Sequence, residues 1–150
     1  MGSGKWPTTS IRYAIGTDVP SSHVAPIQNS AQWWTDKTDI DLIRDSSSQI
    51  NALVYDYGYT SWDGLSYMNP GWNSTFQYGN FQLNYYFTKD YSSLHIQLVA
   101  AHEFGHELSL NHVSSYVMMY GSDVWYAYQQ NSDLANGPQQ DDINGINNRY

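Results

Sequence analysis

Ile11, Tyr13 and Ile15 alternate with polar residues, which predicts a strand ending at Gly16. Val19-Pro20-Ser21-Ser22 reads as a turn and a helix cap. From His23 to Trp34 the period lengthens, with Ile27, Ala31 and Trp34 at helical spacing. Alternation returns at Ile40, Leu42 and Arg44 for a second strand, and Ile50-Asn51-Ala52-Leu53-Val54-Tyr55 forms a third, closed by Gly58. Asp63 to Tyr67 predicts a short edge strand before the breaker Asn69-Pro70-Gly71. Phe81, Leu83, Tyr85 and Phe87 alternate as a further strand. Leu94, Leu98, Ala101 and Leu108 then mark an amphipathic helix over Leu94 to Leu108. Val113 to Gln140 carries no period and holds Gly121, Gly137 and Pro138, which predicts loop. Asp141 to Asn148 predicts a last short helix, with Ile143 and Ile146 inward and acids at the start, where the helix dipole favours them. Strand, helix, several strands, helix, loop, helix is the order of an α+β domain: one twisted sheet with helices packed on it.

Composition narrows the function classes. A chain of 150 residues fits one domain with one core. Six Trp, 14 Tyr and 4 Phe let that core be dense although Leu and Ile are few. A net charge of −8 argues against nucleic acid and an anionic membrane as partners, since both require a basic footprint. The absence of cysteine excludes a disulfide framework and Cys-ligated zinc. No apolar run reaches transmembrane length. Low Lys with abundant Asn, Ser and Tyr points to an exported, bacterial protein, hence a secreted one, and a monomer is expected. Met1-Gly2-Ser3-Gly4 reads as a leader foreign to the domain, which then occupies residues 5–150.

The chemistry concentrates in Val99-Ala100-Ala101-His102-Glu103-Phe104-Gly105-His106-Glu107-Leu108-Ser109-Leu110-Asn111-His112. His102 and His106, four apart on the predicted helix, share a face with Cβ atoms about 5–6 Å apart. Two imidazoles so placed can converge on one tetrahedral Zn²⁺ at roughly 2.0–2.1 Å. His112 can be the third ligand if the helix stops and the chain doubles back, with Asn111 a plausible turn residue. A water in the fourth position would have its pKa lowered toward ~7, and Glu103 can reach it as general base. The bland alternative is two helix-surface histidines with an unremarkable Glu; the third histidine at a usable spacing weighs against it. His23 and His95 lack such a context and read as surface or core-edge residues.

These residues resemble those of the metzincins, and among them the matrixins, the matrix-metalloproteinase family. Val99 to His106 reads like that family's active-site helix, and His112 stands where its third zinc ligand stands. Val117-Met118-Met119-Tyr120 resembles its Met-turn, which implies Met119 as the hydrophobic base beneath the zinc, with Met118 a rival and ordinary core filling the alternative for either. Lys5-Trp6 through Ile15 resembles the opening strand. Gln140-Asp141-Asp142-Ile143-Asn144-Gly145-Ile146 resembles the closing helix, whose paired acids in the family anchor the Met-turn and the mature amino terminus. The resemblance spans Trp6 to Tyr150 and is specific mainly at 99–112 and 139–146. It implies a zincin-like α+β fold: a twisted, mostly parallel sheet with an antiparallel edge strand, a long active-site helix and a C-terminal helix.

The resemblance also implies a zinc endopeptidase with a protein or peptide as substrate, one catalytic zinc, and Glu103 passing a proton from water to the leaving amine. Substrate would add as a strand along Gly64, Leu65, Ser66 and Tyr67, which precede Asn69-Pro70-Gly71 much as the family's upper-rim strand precedes its Pro-Gly bend. Tyr120, beside the S1′ pocket, joins the substrate-binding set. Two departures stand out. Ser109 replaces a glycine that ends the helix with φ > 0, at a cost of about 1 kcal/mol, and Gly121 replaces a proline after the Met-turn Tyr. The animal enzymes' structural zinc is not expected, because only His95 falls in the corresponding interval. Calcium is a further candidate cofactor, with Asp56 and Asp63 in loops. A zinc-containing, aromatic-rich binding module for carbohydrate or protein is the rival class, and a zinc-binding pseudo-protease a third, which the intact Glu103 disfavours.

Overall fold

The period-two pattern near the N-terminus becomes β1 (Ser10–Ile15), with Ile11 and Tyr13 buried and Ser10 and Arg12 exposed. The computed structural model describes residues 3–150; Met1 and Gly2 of the expected leader lie outside the described residues. Helix α1 (Ser21–Lys37) follows and buries Ile27, Ala31 and Trp34. Next come β2 (Asp41–Arg44), β3 (Ile50–Tyr55), β4 (Gly64–Asn69) and β5 (Tyr78–Asn84). The spatial order is β2-β1-β3-β5-β4, parallel throughout except β4, which pairs antiparallel with β5 at the edge. This is the mostly parallel α+β sheet with an antiparallel edge that the resemblance implied. The edge strand starts one residue later than expected and runs on to Asn69, next to a cis Asn69–Pro70 bond.

Two elements differ from expectation. Strand β5 stops at Asn84, and Tyr85 and Phe87 lie in the short helix α2 (Tyr85–Thr88) instead of continuing the alternation. Asn84 is the cause. Its buried side chain accepts from Tyr86 N–H (3.1 Å) as a helix cap. The same oxygen accepts from Tyr57 N–H (3.0 Å), and the amide nitrogen donates to Gly58 O and Thr60 Oγ1, both 2.9 Å. One amide thus closes the strand and pins the β3–β4 connection that leads into the edge strand. The second difference is in the stretch expected to be loop, which holds α4 (Val124–Gln130) and a 3-10 turn (Ser132–Asn136) before α5 (Gln140–Asn147).

The long helix α3 (Ser93–Glu107) packs in the core against α1 and against β4 and β5 of the sheet, while α1 lies over β2. Phe104 packs edge-on against Tyr13 and Phe81 of the sheet, with ring centroids 5.4 and 4.7 Å apart. Two indoles fasten the helix backbone: Trp34 Nε1 donates to Ala101 O (3.0 Å), and Trp6 Nε1 to Glu107 O (2.8 Å), one of the carbonyls a helix end leaves without a partner. Trp6, Trp34, Phe76, Phe81 and Phe104 are fully buried, while most large exposed apolar residues are tyrosines. His23 is wholly buried, not at the surface or core edge, because Ser22 Oγ and Thr88 Oγ1 (2.9 Å each) satisfy both ring nitrogens.

Candidate active site

Helix α3 puts His102 and His106 on one face, and its ending brings His112 to them. Leu108 caps the helix, and Ser109 takes φ 75°. Ser109 N–H donates to His106 O (2.7 Å) and Leu110 N–H to Gly105 O (2.9 Å), the paired bonds of a Schellman motif. Serine tolerates this left-handed position because its Oγ donates to Gly4 O, a bond that glycine could not make. Beyond the turn, Val113 N–H donates to Met119 O and Gly121 N–H to Val113 O, both 2.9 Å. These bonds tie the His112 segment to the 117–121 turn. Gly121 suits its place: a proline would lack the donor, and a Cβ there would lie 3.2 Å from His112 Cβ.

The three Nε2 atoms form a triangle: 3.1 Å from His102 to His106, 3.1 Å from His102 to His112 and 3.0 Å from His106 to His112. His102 Nδ1 lies 2.8 Å from Met118 O and His106 Nδ1 3.0 Å from Leu110 O. Carbonyls only accept, so each Nδ1 carries the proton and each Nε2 presents a lone pair. Burial lowers the His102 pKa to about 4 and that of His106, with His102 beside it, to about 3; burial lowers His112 too. The His102 and His106 lone pairs, 3.1 Å apart, repel each other unless a cation or a donated proton lies between them, and His112 Nε2 completes the triangle. Ligand atoms 2.0–2.1 Å from a tetrahedral metal are ~3.3–3.4 Å apart, so the triangle needs to open by only a few tenths of an ångström. Three imidazoles suit Zn²⁺. This is the only group of three or more clustered His, Cys, Asp or Glu donors among the described residues.

Glu103 is 4% exposed and faces the same cleft. Burial pushes its carboxyl up to about 8, opposed by a hydrogen bond from Ser66 and reinforced by Asp63. A bound cation would oppose the rise as well. Met119 Sδ lies where a Cβ on Gly105 would be, under the turn between His102 and His106, while Met118 contributes its backbone. Asp142, at the start of α5, accepts from Met118 N–H (3.0 Å), Met119 N–H (3.1 Å) and Gln139 N–H (2.8 Å). The acid of the closing helix therefore holds the turn whose carbonyl orients His102; Asp141 is exposed. Glu107, one residue past His106, is fully buried with neither carboxylate oxygen in a well-formed hydrogen bond, and burial pushes its carboxyl well above the usual range, with Glu103 adding to the rise and the nearby Ser66 hydroxyl and Tyr67 N–H opposing it.

The cleft measures about 730 Å³. Of the expected substrate residues, Gly64, Leu65 and Ser66 line it; Tyr67 and Tyr120 do not. Tyr67 is exposed beside Tyr78, and Tyr120 packs with Tyr116 and Tyr126. Sequence reasoning missed Trp62, Tyr91, Asp123 and Val124 in the lining. Asp123 caps α4 by accepting from Trp125 N–H (2.9 Å), and an Asp before an apolar pair was the readable signal. Tyr91 donates to Asp63 Oδ2 (3.0 Å) and stacks on His95, which stacks on Trp125. Asp56 accepts from Gly58 N–H (2.8 Å), so both candidate calcium acids have local partners.

A family model described as Matrixin matches residues 5–150. Interstitial collagenase of Bos taurus is 28% identical over 163 residues, stromelysin-1 of Mus musculus 29% over 167, and neutrophil collagenase of Homo sapiens 27% over 163. Each comparison covers 99% of this chain but only 33–34% of the relative. The chain thus spans about a third of the length of the curated relatives it matches.

Proposed function

The chain belongs to the matrixin family, and on that premise we propose that it is a zinc-dependent endopeptidase acting on extended protein or peptide segments. The observation that carries the proposal is the triangle of imidazole Nε2 atoms at 3.0–3.1 Å with the Glu103 carboxyl facing the same cleft. His102, His106 and His112 would hold the ion, with Met119 as the floor beneath them. When bound, zinc supplies a Lewis acid that polarises a scissile carbonyl and acidifies a coordinated water toward ~7.

The chain's own residues do the rest. Glu103 takes the proton of the attacking water and delivers it to the leaving amine. The outer edge of β4, from Gly64 to Ser66, offers main-chain hydrogen bonds to a substrate laid alongside as an added strand. Tyr67 and Tyr120 would then act beyond the cleft, on flanking residues of the substrate. The composition points to a secreted monomer, and Asp56 and Asp63 are candidate ligands for a structural calcium.

Glu103→Gln tests the mechanism. Cleavage of an unfolded protein such as casein should vanish while metal analysis still finds one zinc per chain, and a chelator should silence the wild type. Full activity in Glu103→Gln would sink the mechanism.

A further inference from the structure

We propose that Ser66 is a positioning residue for Glu103, its hydroxyl committing one carboxylate oxygen so that the other is presented to the cleft. The inference rests on Glu103 as general base. Strand β4 turns Gly64, Ser66 and Met68 toward α3 and leaves Leu65 and Tyr67 exposed, the period-two geometry of an edge strand covered on one side. Ser66 Oγ donates to Glu103 Oε2 at 2.7 Å, the separation of a strong hydroxyl–carboxylate bond. The same hydroxyl lies 3.2 Å from Glu103 O, a weaker second arm of its single proton.

Gly64 supplies the other half of the grip. A Cβ on Gly64 would lie 2.5 Å from Glu103 Oε1, 2.9 Å from its Cγ and 3.0 Å from its carboxyl carbon. The carboxylate therefore occupies the space a side chain would fill, backed by β4 main chain, with Ser66 holding its far oxygen. Among the described residues the carboxylate takes its hydrogen bond on Oε2 alone. The two oxygens thus differ: Oε2 is tethered and Oε1 is free to accept a proton. Without the tether, rotation about the terminal carboxylate torsion is soft, and a misplacement of about 1 Å can cost ~10²-fold in rate. The strand that would receive the substrate also orients the base, so both are referred to one rigid element.

Ser66→Ala, Ser66→Thr and Ser66→Cys test this on a quenched fluorescent peptide, with zinc content measured for each. Ser66→Ala should lose about tenfold or more in kcat at unchanged KM and one zinc per chain. Ser66→Thr, which keeps the hydroxyl, should recover most of the loss, and Ser66→Cys, a weak donor, should fall between them. A kcat for Ser66→Ala within twofold of wild type overturns the proposal. So does a threonine variant as impaired as alanine, or a loss confined to KM. A wild-type protein that cleaves nothing would defeat the peptidase reading by itself. Crystal structures of the zinc-loaded wild type and Ser66→Ala would then decide the contact, and an unmoved Glu103 carboxylate in the variant would overturn it.

Discussion

Asp142→Asn probes how far the metal centre depends on a residue that never touches it. Asp142 Oδ2 accepts from Met118 and Gln139 N–H, and Oδ1 from Met119 N–H. An amide has one acceptor oxygen. Its best orientation keeps the Met118 and Gln139 bonds and points –NH₂ at the Met119 N–H. One charge-assisted bond is lost, at ~1.5–3 kcal/mol, and the two survivors become neutral bonds of about half the strength. Burial outweighs these bonds on the carboxyl and raises its pKa, so part of the cost is returned when the buried charge is removed. The net expectation is about 2 kcal/mol, a fall in Tm of ~4–8 °C for a domain of this size. The same substitution loosens the Met118 carbonyl that orients His102. Since outer partners of metal ligands are worth ~10–100-fold in affinity and Asp142 acts at one further remove, zinc affinity should fall by about tenfold or less. Thermal unfolding at one fixed zinc concentration and a competition titration against a chromophoric chelator read the two effects. A variant within ~0.5 kcal/mol of wild type, with zinc affinity unchanged, would refute the coupling.

Two further outcomes follow from local geometry. Ser109→Ala keeps the strained φ of 75° and loses the bond to Gly4 O, whereas Ser109→Gly loses the bond but relieves the strain; urea midpoints should rank glycine near wild type and alanine lower by about 1 kcal/mol, and the reverse order would reject this account. Burial lowers His95 from 6.5 to about 4, against the pull of Asp123, so the unfolded chain binds its proton first and stability falls as pH drops from 6.5 toward 4. In chelator, where the zinc ligands titrate alike in both proteins, the wild type should lose stability relative to His95→Phe across that window, and a difference flat with pH would rule it out.

The histidine pair on α3 and the parallel sheet were legible because each is written in a short local period. His102 and His106 are set by helix geometry alone, and Ile11, Tyr13 and Ile50–Tyr55 by strand alternation or a buried apolar run. Features decided by distant partners were not. Phe81, Leu83, Tyr85 and Phe87 alternate through position 87, yet the strand ends at Asn84, whose amide partners at Tyr57, Gly58 and Thr60 are about 25 residues away. Helix α4 escaped because seven residues burying only Val124 and Ala127 leave no amphipathic stripe to count. The burial of Glu107 was equally hidden: nothing in a charged residue on a helix says that it will meet the bare Cα of Gly79, where a Cβ would sit 2.0 Å from its Oε2.

The three histidines proposed to hold the ion differ in exposure: His106 is buried, His102 half-buried and His112 exposed. That gradient separates how tightly an ion is held from how long it stays. The two imidazoles on α3 would stay in place in the folded domain, because that helix is buried along most of its length and such a helix opens only near global unfolding. His112 is the most exposed of the three and would be the first to let go, since its segment is tied to Met119 and Gly121 through Val113 alone, whereas Met118 and Met119 are buried on Asp142. A competing chelator would meet that ligand first, so exchange could follow the opening of residues 112–116 while Met118, Met119 and the rest of the domain stay folded. Crosslinks or substitutions at residues 113–116 would then change metal lifetime while leaving α3 and the Met118 carbonyl that orients His102 in place.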